Sequence, residues 1–353
     1  MYFDEMKVKV QALQQQPSVR IMAVETSCDE TACSIVENGR NVLSNCVYSQ
    51  IDVHKVYGGV VPEIASRAHI EKIDVLVDEA LAQANMTLED VDAFAVTYGP
   101  GLVGSLLTGV SSMKGFAYAT NKPLIPVHHI AGHICANYID HQDLEPPFLS
   151  LVVSGGHSHL FYVRDYGEYE LLGSTQDDAA GEVFDKAARI LDLPYPGGPK
   201  LDQLAELGNP YALKLPHPHT QGKYDFSFSG LKTAFINAVH KMKQKNEMLK
   251  KEDLAASFRH TLVELLAEKT MMLMQDKALD TLVLAGGVSA NSLLRSRMQA
   301  LCNQKGMRLF MPSLSLCGDN AAMIGSAAYY LLKKGEIASL SLNAVPSLSL
   351  TKK

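Results

Sequence analysis

The sequence predicts an α/β protein of two related lobes, and three observations carry that prediction. A short apolar run twice breaks at a small polar turn and then resumes. Residues 21–24, the turn Thr26-Ser27-Cys28-Asp29-Glu30 and residues 32–36 make one hairpin; residues 148–153, the turn Ser154-Gly155-Gly156-His157-Ser158 and residues 159–163 make the other. Each hairpin is followed by strand and amphipathic-helix patterns, as layered α/β units require. The length, 353 residues, is too great for one small core and suits two packed lobes.

Residues 1–17 are polar, rich in glutamine (Gln11, Gln14, Gln15, Gln16) and closed by Pro17, which reads as an extension outside the main fold. After the first hairpin, Pro62 opens a helix to residue 84 with Ile64, Ala68, Ile73, Leu76, Val77, Ala80 and Leu81 on one face. A buried strand at 91–96, the turn Gly99-Pro100-Gly101, a helix over 102–119, a short strand at 124–127 and a helix over 130–139 follow. Beyond the second hairpin, 178–191, 254–275 and 293–303 read as helices, and 281–285 as a strand entering Gly286-Gly287. The resulting division is 1–20 extension, 21–128 first lobe with helix 320–334 returning to it, 129–319 second lobe and 335–353 tail.

Composition excludes several classes. Apolar residues at 47% and charged residues at 20% argue against disorder and fibrous repeats. No apolar run approaches the roughly 20 residues that span a bilayer, and residues 1–20 lack a cleavable leader, so the expected location is the cytoplasm. Six cysteines without a CxxC pair read as reduced thiols and exclude a zinc ribbon. A net charge of −6 means that a nucleic-acid partner must be held by a local basic stripe. Lys241, Lys243, Lys245, Lys250 and Lys251 form the one basic run; it is a solvated helix face by default and a phosphate-tracking patch otherwise.

The chemistry concentrates at a few places. His129 and His133 are four residues apart, so on a helix they share a face and can ligate one metal. Two ligands are too few, and Asp319, in the turn Cys317-Gly318-Asp319-Asn320, is the best third, although read alone it is an N-cap. Ile130 stands where a zinc protease carries its catalytic glutamate. Ser154-Gly155-Gly156 and Gly286-Gly287-Val288-Ser289-Ala290-Asn291 leave backbone N–H groups open to an anion, the second running into a helix N-terminus. Tyr195-Pro196-Gly197-Gly198-Pro199 reads as a rigid turn. Asp177 and Asp178 suit a helix N-terminus, while Asp178, Glu182 and Asp185 share one helical face, where like charges call for a cation or a hydroxyl-rich ligand.

Together with Glu25-Thr26-Ser27-Cys28-Asp29-Glu30-Thr31, His129 to His133, Val153-Ser154-Gly155-Gly156-His157, Asp178-Ala179-Ala180-Gly181-Glu182, Phe226-Ser227-Phe228-Ser229-Gly230-Leu231-Lys232 and Gly318-Asp319-Asn320, these strings resemble the TsaD family of tRNA threonylcarbamoyladenosine synthases, formerly called O-sialoglycoprotein endopeptidases. The resemblance runs over residues 21–334 and implies a two-lobed actin-like ATPase fold. It implies transfer of L-threonylcarbamoyl from threonylcarbamoyl-AMP to N6 of adenosine 37 in tRNAs that read codons beginning with A. It also implies one divalent metal, iron first and zinc second, on His129, His133 and Asp319. Val152, Val153, Ser154, Gly155, Gly156, Asp185, Gly198, Asp202 and Asn291 would hold the adenylate, with glycine turns at phosphate, carboxylates at ribose and Asn291 near the base. Asp29 and Glu30 are the candidates for orienting or deprotonating the adenine amine. A TsaB paralogue and the small ATPase TsaE are the implied partners, the first lobe offering the interface. Residues 1–20 depart from the family, whose first strand begins almost at once. The competing readings are a metalloprotease, opposed by Ile130, an ATPase or sugar kinase of the same fold, which has no use for two histidines on a metal, and a scaffold that keeps the nucleotide for structure, opposed by the many polar residues.

Overall fold

The computed structural model describes residues 2–247 and 249–351. The chain forms two compact units, Met1–Leu144 with Pro312–Lys353, and Glu145–Met311.

The first unit begins with α1 (Tyr2–Gln14), which turns Met6, Val10 and Leu13 inward. Their spacing is the i, i+4, i+7 stripe of a docked helix. The Tyr2 hydroxyl donates to the Lys122 carbonyl at 2.6 Å, and Gln14 Nε2 donates to the Leu332 and Lys333 carbonyls at 3.1 Å. The segment expected to lie outside the fold is therefore packed on it. Strands β1 (Arg20–Glu25), β2 (Glu30–Glu37) and β3 (Asn41–Ser49) are antiparallel. After α2 (Ile51–His54) and α3 (Pro62–Ala84), with proline in its first turn, come β4 (Ala93–Gly99), α4 (Val103–Ala119), β5 (Leu124–His128) and α5 (His129–Asp140). The sheet order is β3-β2-β1-β4-β5, with β4 parallel to β1 and β5 parallel to β4. Residues 21–25 of the central β1 are all buried, which explains a continuous apolar run in place of alternation.

The second unit repeats this plan. Strands β6 (Phe148–Val153), β7 (Ser158–Asp165) and β8 (Glu168–Ser174) are antiparallel. Helices α6 (Ala180–Ile190), α7 (Gly197–Ala205), α8 (Ser229–Lys245) and α9 (Lys251–Asp276) precede β9 (Thr281–Ala285), α10 (Ser292–Lys305) and β10 (Arg308–Phe310). Read from β8, the order β8-β7-β6-β9-β10 has the same directions as the first sheet. Phe184, Phe235 and Phe258 tie α6, α8 and α9 into one core, with ring centroids 6.0 and 4.8 Å from Phe258.

The chain then re-enters the first unit through α11 (Leu314–Cys317) and α12 (Ala321–Lys333). Helix α12 lies so close to its neighbours that a Cβ at Gly325 would come within 2.7 Å of Val36, and one at Gly132 of α5 within 2.7 Å of Ile324. This packing places α5 in the first unit, whereas the sequence division put residue 129 at the start of the second lobe. The units part at Leu144 and Pro312, beyond that helix on both sides.

Candidate metal centre and nucleotide turns

Helix α5 starts where β5 ends. His128 is its N-cap, with Nδ1 accepting from the Ile130 N–H at 3.1 Å. One helical turn brings the His129 and His133 rings edge to face at 4.7 Å between centroids. Asp319, between α11 and α12, supplies the third donor: its Oδ1 is 3.6 Å from His129 Nε2 and 3.1 Å from His133 Nε2. Ligand atoms of the three lie within 4.8 Å of one another. The N-cap of α12 is Asn320, whose Oδ1 accepts from the Met323 N–H at 2.9 Å, so the reading of Asp319 as that cap is corrected.

A residue that sequence reading left without a role orients this group. Glu25, fully buried at the end of β1, has Oε2 3.2 Å from His129 Nδ1, and Ser27 Oγ is 3.1 Å from the same nitrogen. The Glu25 carboxylate accepts from the Ser27 N–H at 2.5 Å and the Thr97 hydroxyl at 2.6 Å. A carboxylate behind the imidazole fixes the ring and leaves Nε2 for a ligand.

The electrostatics suit positive charge at this point. Burial opposes a charge on His129, but Asp319 and Glu25 outweigh it and push its pKa up to about 9. Burial, then Asp319 and Asp29, push Glu30 up to about 9, and burial with the same carboxylates raises the Cys28 thiol. His133 is 1% exposed, yet neither ring nitrogen makes a hydrogen bond. Buried polar groups are rarely left so without a ligand. For metal bonds of about 2.0–2.1 Å, tetrahedral donors sit about 3.3 Å apart, close to the separations around Asp319. Two imidazoles and a carboxylate suit a first-row divalent ion.

In the second unit, Ser154 N–H donates to the His157 carbonyl at 2.8 Å and Ser154 Oγ accepts from the His157 N–H at 3.2 Å, closing a tight turn after β6. Gly155 and Gly156 are exposed at its tip, and a Cβ on either would meet nothing within 4 Å. The underside is crowded: a Cβ at Gly181 would be 2.6 Å from the Ser154 carbonyl, and one at Gly286, where φ is 86°, 2.5 Å from the Val153 carbonyl. Gly287 again faces open space. Backbone N–H groups presented in this way suit phosphate.

The other expected adenylate residues form two groups. Asp185 Oδ1 accepts from the Gly198 N–H at 2.9 Å. Asp202 binds the buried Arg259 guanidinium at 2.7 Å, Asn291 Nδ2 at 2.8 Å and the Ser292 N–H at 2.9 Å, and Asn291 Oδ1 also caps α10 through the Leu294 N–H at 2.9 Å. Val152 and Val153 are buried in β6. The stretch 195–199 is more than a turn, since α7 begins at Gly197. Asp178 precedes α6 and pairs with Lys232 and Lys186, so it shares no helical face with Glu182 and Asp185. Asp177 accepts from the Phe228 N–H at 2.7 Å and the Ser229 N–H at 3.2 Å, which satisfies the start of α8. Asp29 and Glu30 lie at the tip of the first hairpin in the other unit, Asp29 buried and Glu30 half-buried.

Comparison with known proteins extends these observations. The component A of (R)-2-hydroxyglutaryl-CoA dehydratase from Acidaminococcus fermentans matches with a TM-score of 0.55 at 15% identity, covering 90% of this chain and 99% of that one. Full-length HypF in its phosphate- and nucleotide-bound form matches with a TM-score of 0.60 at 12% identity, covering 90% of this chain and 46% of that one. The sequence profile of the family described as TsaD, tRNA N6-adenosine threonylcarbamoyltransferase, matches residues 41–326. A tRNA N6-adenosine threonylcarbamoyltransferase from Clostridium botulinum (strain Kyoto / Type A2) is 53% identical over 334 residues, 94% of this chain and 98% of the relative.

Fold and donor set together define an α/β protein of the actin-like ATPase fold with a two-histidine, one-carboxylate site. Within that class, the chain belongs to the TsaD family and is a transferase that forms threonylcarbamoyladenosine in tRNA. Neither a protease nor a kinase reading is favoured, and Ile130, buried at the position of a protease base, cannot move a proton.

Proposed function

We propose that this chain takes its threonylcarbamoyl group from threonylcarbamoyl-AMP, delivers it to N6 of adenosine 37 in tRNAs reading codons that begin with A, and needs one divalent metal to do so. The donor is a mixed anhydride, activated at its carbamoyl carbon with AMP as leaving group, and an exocyclic adenine amine is a poor nucleophile. Catalysis therefore rests on positioning and on stabilising charge at the departing phosphate.

The observation that carries the metal reading is His133, buried and without a hydrogen bond on either nitrogen beside Asp319. His129, His133 and Asp319 would hold the ion, with iron first and zinc second. When bound, it supplies Lewis acidity toward the phosphate. Ser154, Gly155 and Gly156 offer N–H groups to the phosphate, Asp185 and Gly198 serve the ribose, and Val152 and Val153 support the turn as part of β6. Asp202 and Asn291, bound to each other, serve the nucleoside from the start of α10. Asp29 and Glu30, at the tip of the first hairpin, orient or deprotonate the incoming amine. The work takes place in the cytoplasm with a TsaB paralogue and the TsaE ATPase, and no helix among the described residues is long and apolar enough to cross a membrane.

The test is single-turnover transfer from threonylcarbamoyl-AMP to unmodified tRNA by the chain with its two partners, after chelation and after reloading with Fe2+ or Zn2+. Transfer that is lost on chelation and regained on reloading supports the reading; full transfer by protein with no metal by elemental analysis overturns the metal.

A further inference from the structure

Residues 336–351 follow α12 as a chain without helix or strand, yet they are tied down along their length. The Ala338 N–H donates to the Leu124 carbonyl at 2.7 Å, Lys114 Nζ to the Leu342 carbonyl at 3.0 Å, and the Val345 N–H to the Tyr98 carbonyl at 2.8 Å. The Gly101 N–H donates to the Pro346 carbonyl at 3.2 Å. These bonds run past the ends of β4 and β5 toward the start of α5. At Gly99 the tail lies directly on the backbone, for a Cβ there would be 2.2 Å from the Val345 carbonyl.

The last of these ties is the informative one. His128 Nε2 is 3.2 Å from the Leu348 carbonyl, and His128 Nδ1 receives the Ile130 N–H. A carbonyl only accepts, so Nε2 carries the proton, and Nδ1 is then bare and able to cap the helix. The two bonds require the same tautomer. The other tautomer would turn an N–H toward the N–H of Ile130 and lose both. The helix capped in this way begins with His129 and carries His133 one turn on. The tail reaches His129 by a second route as well: Gly101, held by Pro346, is followed by Leu102, whose N–H donates to the Ser27 carbonyl at 2.8 Å, and Ser27 Oγ contacts His129 Nδ1.

We propose that the C-terminal tail, acting through the Leu348 carbonyl and His128, is a clamp that sets the position of the first turn of α5 and thereby the grip of His129 and His133 on a divalent ion. His128 is a positioning residue, touching neither ion nor substrate. The part that concerns the ion rests on the metal reading above; the part that concerns the helix does not. Outer-sphere partners of metal ligands commonly govern affinity by about 10–100-fold.

The experiment uses the full chain, the variant Gly99→Ala, which lifts the tail at Val345 without removing it, a chain ending at Ala344, and His128→Asn with and without that truncation. Co2+ is the probe, its affinity read by chelator competition and its coordination by visible absorption. Amide exchange over residues 129–133 and the tautomer of His128, from imidazole nitrogen shifts in the full chain, are read alongside. The clamp predicts the Nε2–H tautomer, roughly tenfold weaker Co2+ binding and faster exchange over 129–133 in Gly99→Ala and in the truncated chain. In the His128→Asn background, truncation costs less than it does in the full chain, because the route through His128 is already cut and only the one through Gly101 and Ser27 remains. An Nδ1–H tautomer, unchanged exchange in Gly99→Ala, or an equal cost of truncation in both backgrounds overturns the clamp. Should the full chain bind no Co2+, the metal reading fails, and the tautomer and exchange measurements still decide whether the tail holds the helix. Should the truncated chain not fold, Gly99→Ala and the tautomer carry the decision.

Discussion

The histidine pair of the first unit and the glycine turn of the second are built on opposite principles. At the pair, the groups on offer are side chains, and His129 is fixed from behind: Glu25 and Ser27 meet its ring, Thr97 holds Glu25, and His128 starts its helix. At the turn, the groups on offer are backbone N–H groups, and what matters is what has been left out: a Cβ on Gly155, Gly156 or Gly287 would meet nothing, while Gly181 and Gly286 allow the chain beneath to close up. A side-chain site can be lost by one substitution that leaves the fold whole. A backbone site can be lost only by covering it or by prising apart what supports it.

That contrast is broken most strongly at the ligands. His133→Ala, His129→Ala or Asp319→Ala should release the ion altogether, since three protein ligands leave no redundancy, while Glu25→Gln should weaken it by about 10–100-fold with the ligands in place. Stoichiometric metal in two of the three alanine variants by elemental analysis would remove the site. In the second unit the same size of change should divide by position. Gly286→Ala should cost about 2–4 kcal/mol, from a positive φ and a clash with the Val153 carbonyl, read as a drop in melting temperature. Gly155→Val should melt as the parent does and yet bind AMP more than tenfold more weakly by calorimetry. If both variants lose stability equally, the open face of the turn has no separate role.

Smaller effects sharpen the picture. His159 on β7 is half-buried, and that desolvation alone lowers its pKa to about 4 from an ordinary 6.5. The folded chain then binds fewer protons than the unfolded one between those values, so stability is intact above pH 6.5 and falls as pH drops toward 4, by on the order of 3 kcal/mol at most. His159→Gln should flatten urea midpoints across that window; an unchanged slope would mean that the imidazole is protonated in the folded state. The smallest effect belongs to tRNA. Lys241, Lys243 and Lys245 close α8, and replacing all three with glutamine should reduce the salt slope of tRNA binding by about one for each phosphate no longer neutralised, with single-turnover transfer on bound tRNA little changed. An unaltered slope assigns tRNA to another surface.

Much of this was legible because it is local. The two hairpins, Pro62 at the head of α3, the strand Thr281–Ala285 and the four-residue step from His129 to His133 are patterns within a few residues, and the fold displays them as read. What stayed hidden has two physical causes. Edge strands β3 and β8 are half exposed and mixed in polarity, so no apolar run announces them, and in α1 three buried residues stand among glutamines and lysines. The other cause is distance along the chain. Glu25 reaches His129, Asp202 meets Arg259, and Asp178 leaves its expected helix face for Lys232, each through contacts that no local spacing encodes. The role of Asp319 was inferred from a turn, but its freedom from capping depended on Asn320 taking that task.

The first unit is made from both ends of the chain, with the whole of the second unit between them. A ribosome therefore delivers His129 and His133 long before Asp319, on the order of ten seconds or more at ordinary rates of synthesis. Through that interval β1 and α5 lack the cover of α12, and two imidazoles that end up buried are open to solvent and to any metal at hand. On the metal reading proposed above, a divalent site cannot close until nearly the last helix has emerged, so the choice of ion would fall to the finished chain and to whatever is present at that moment.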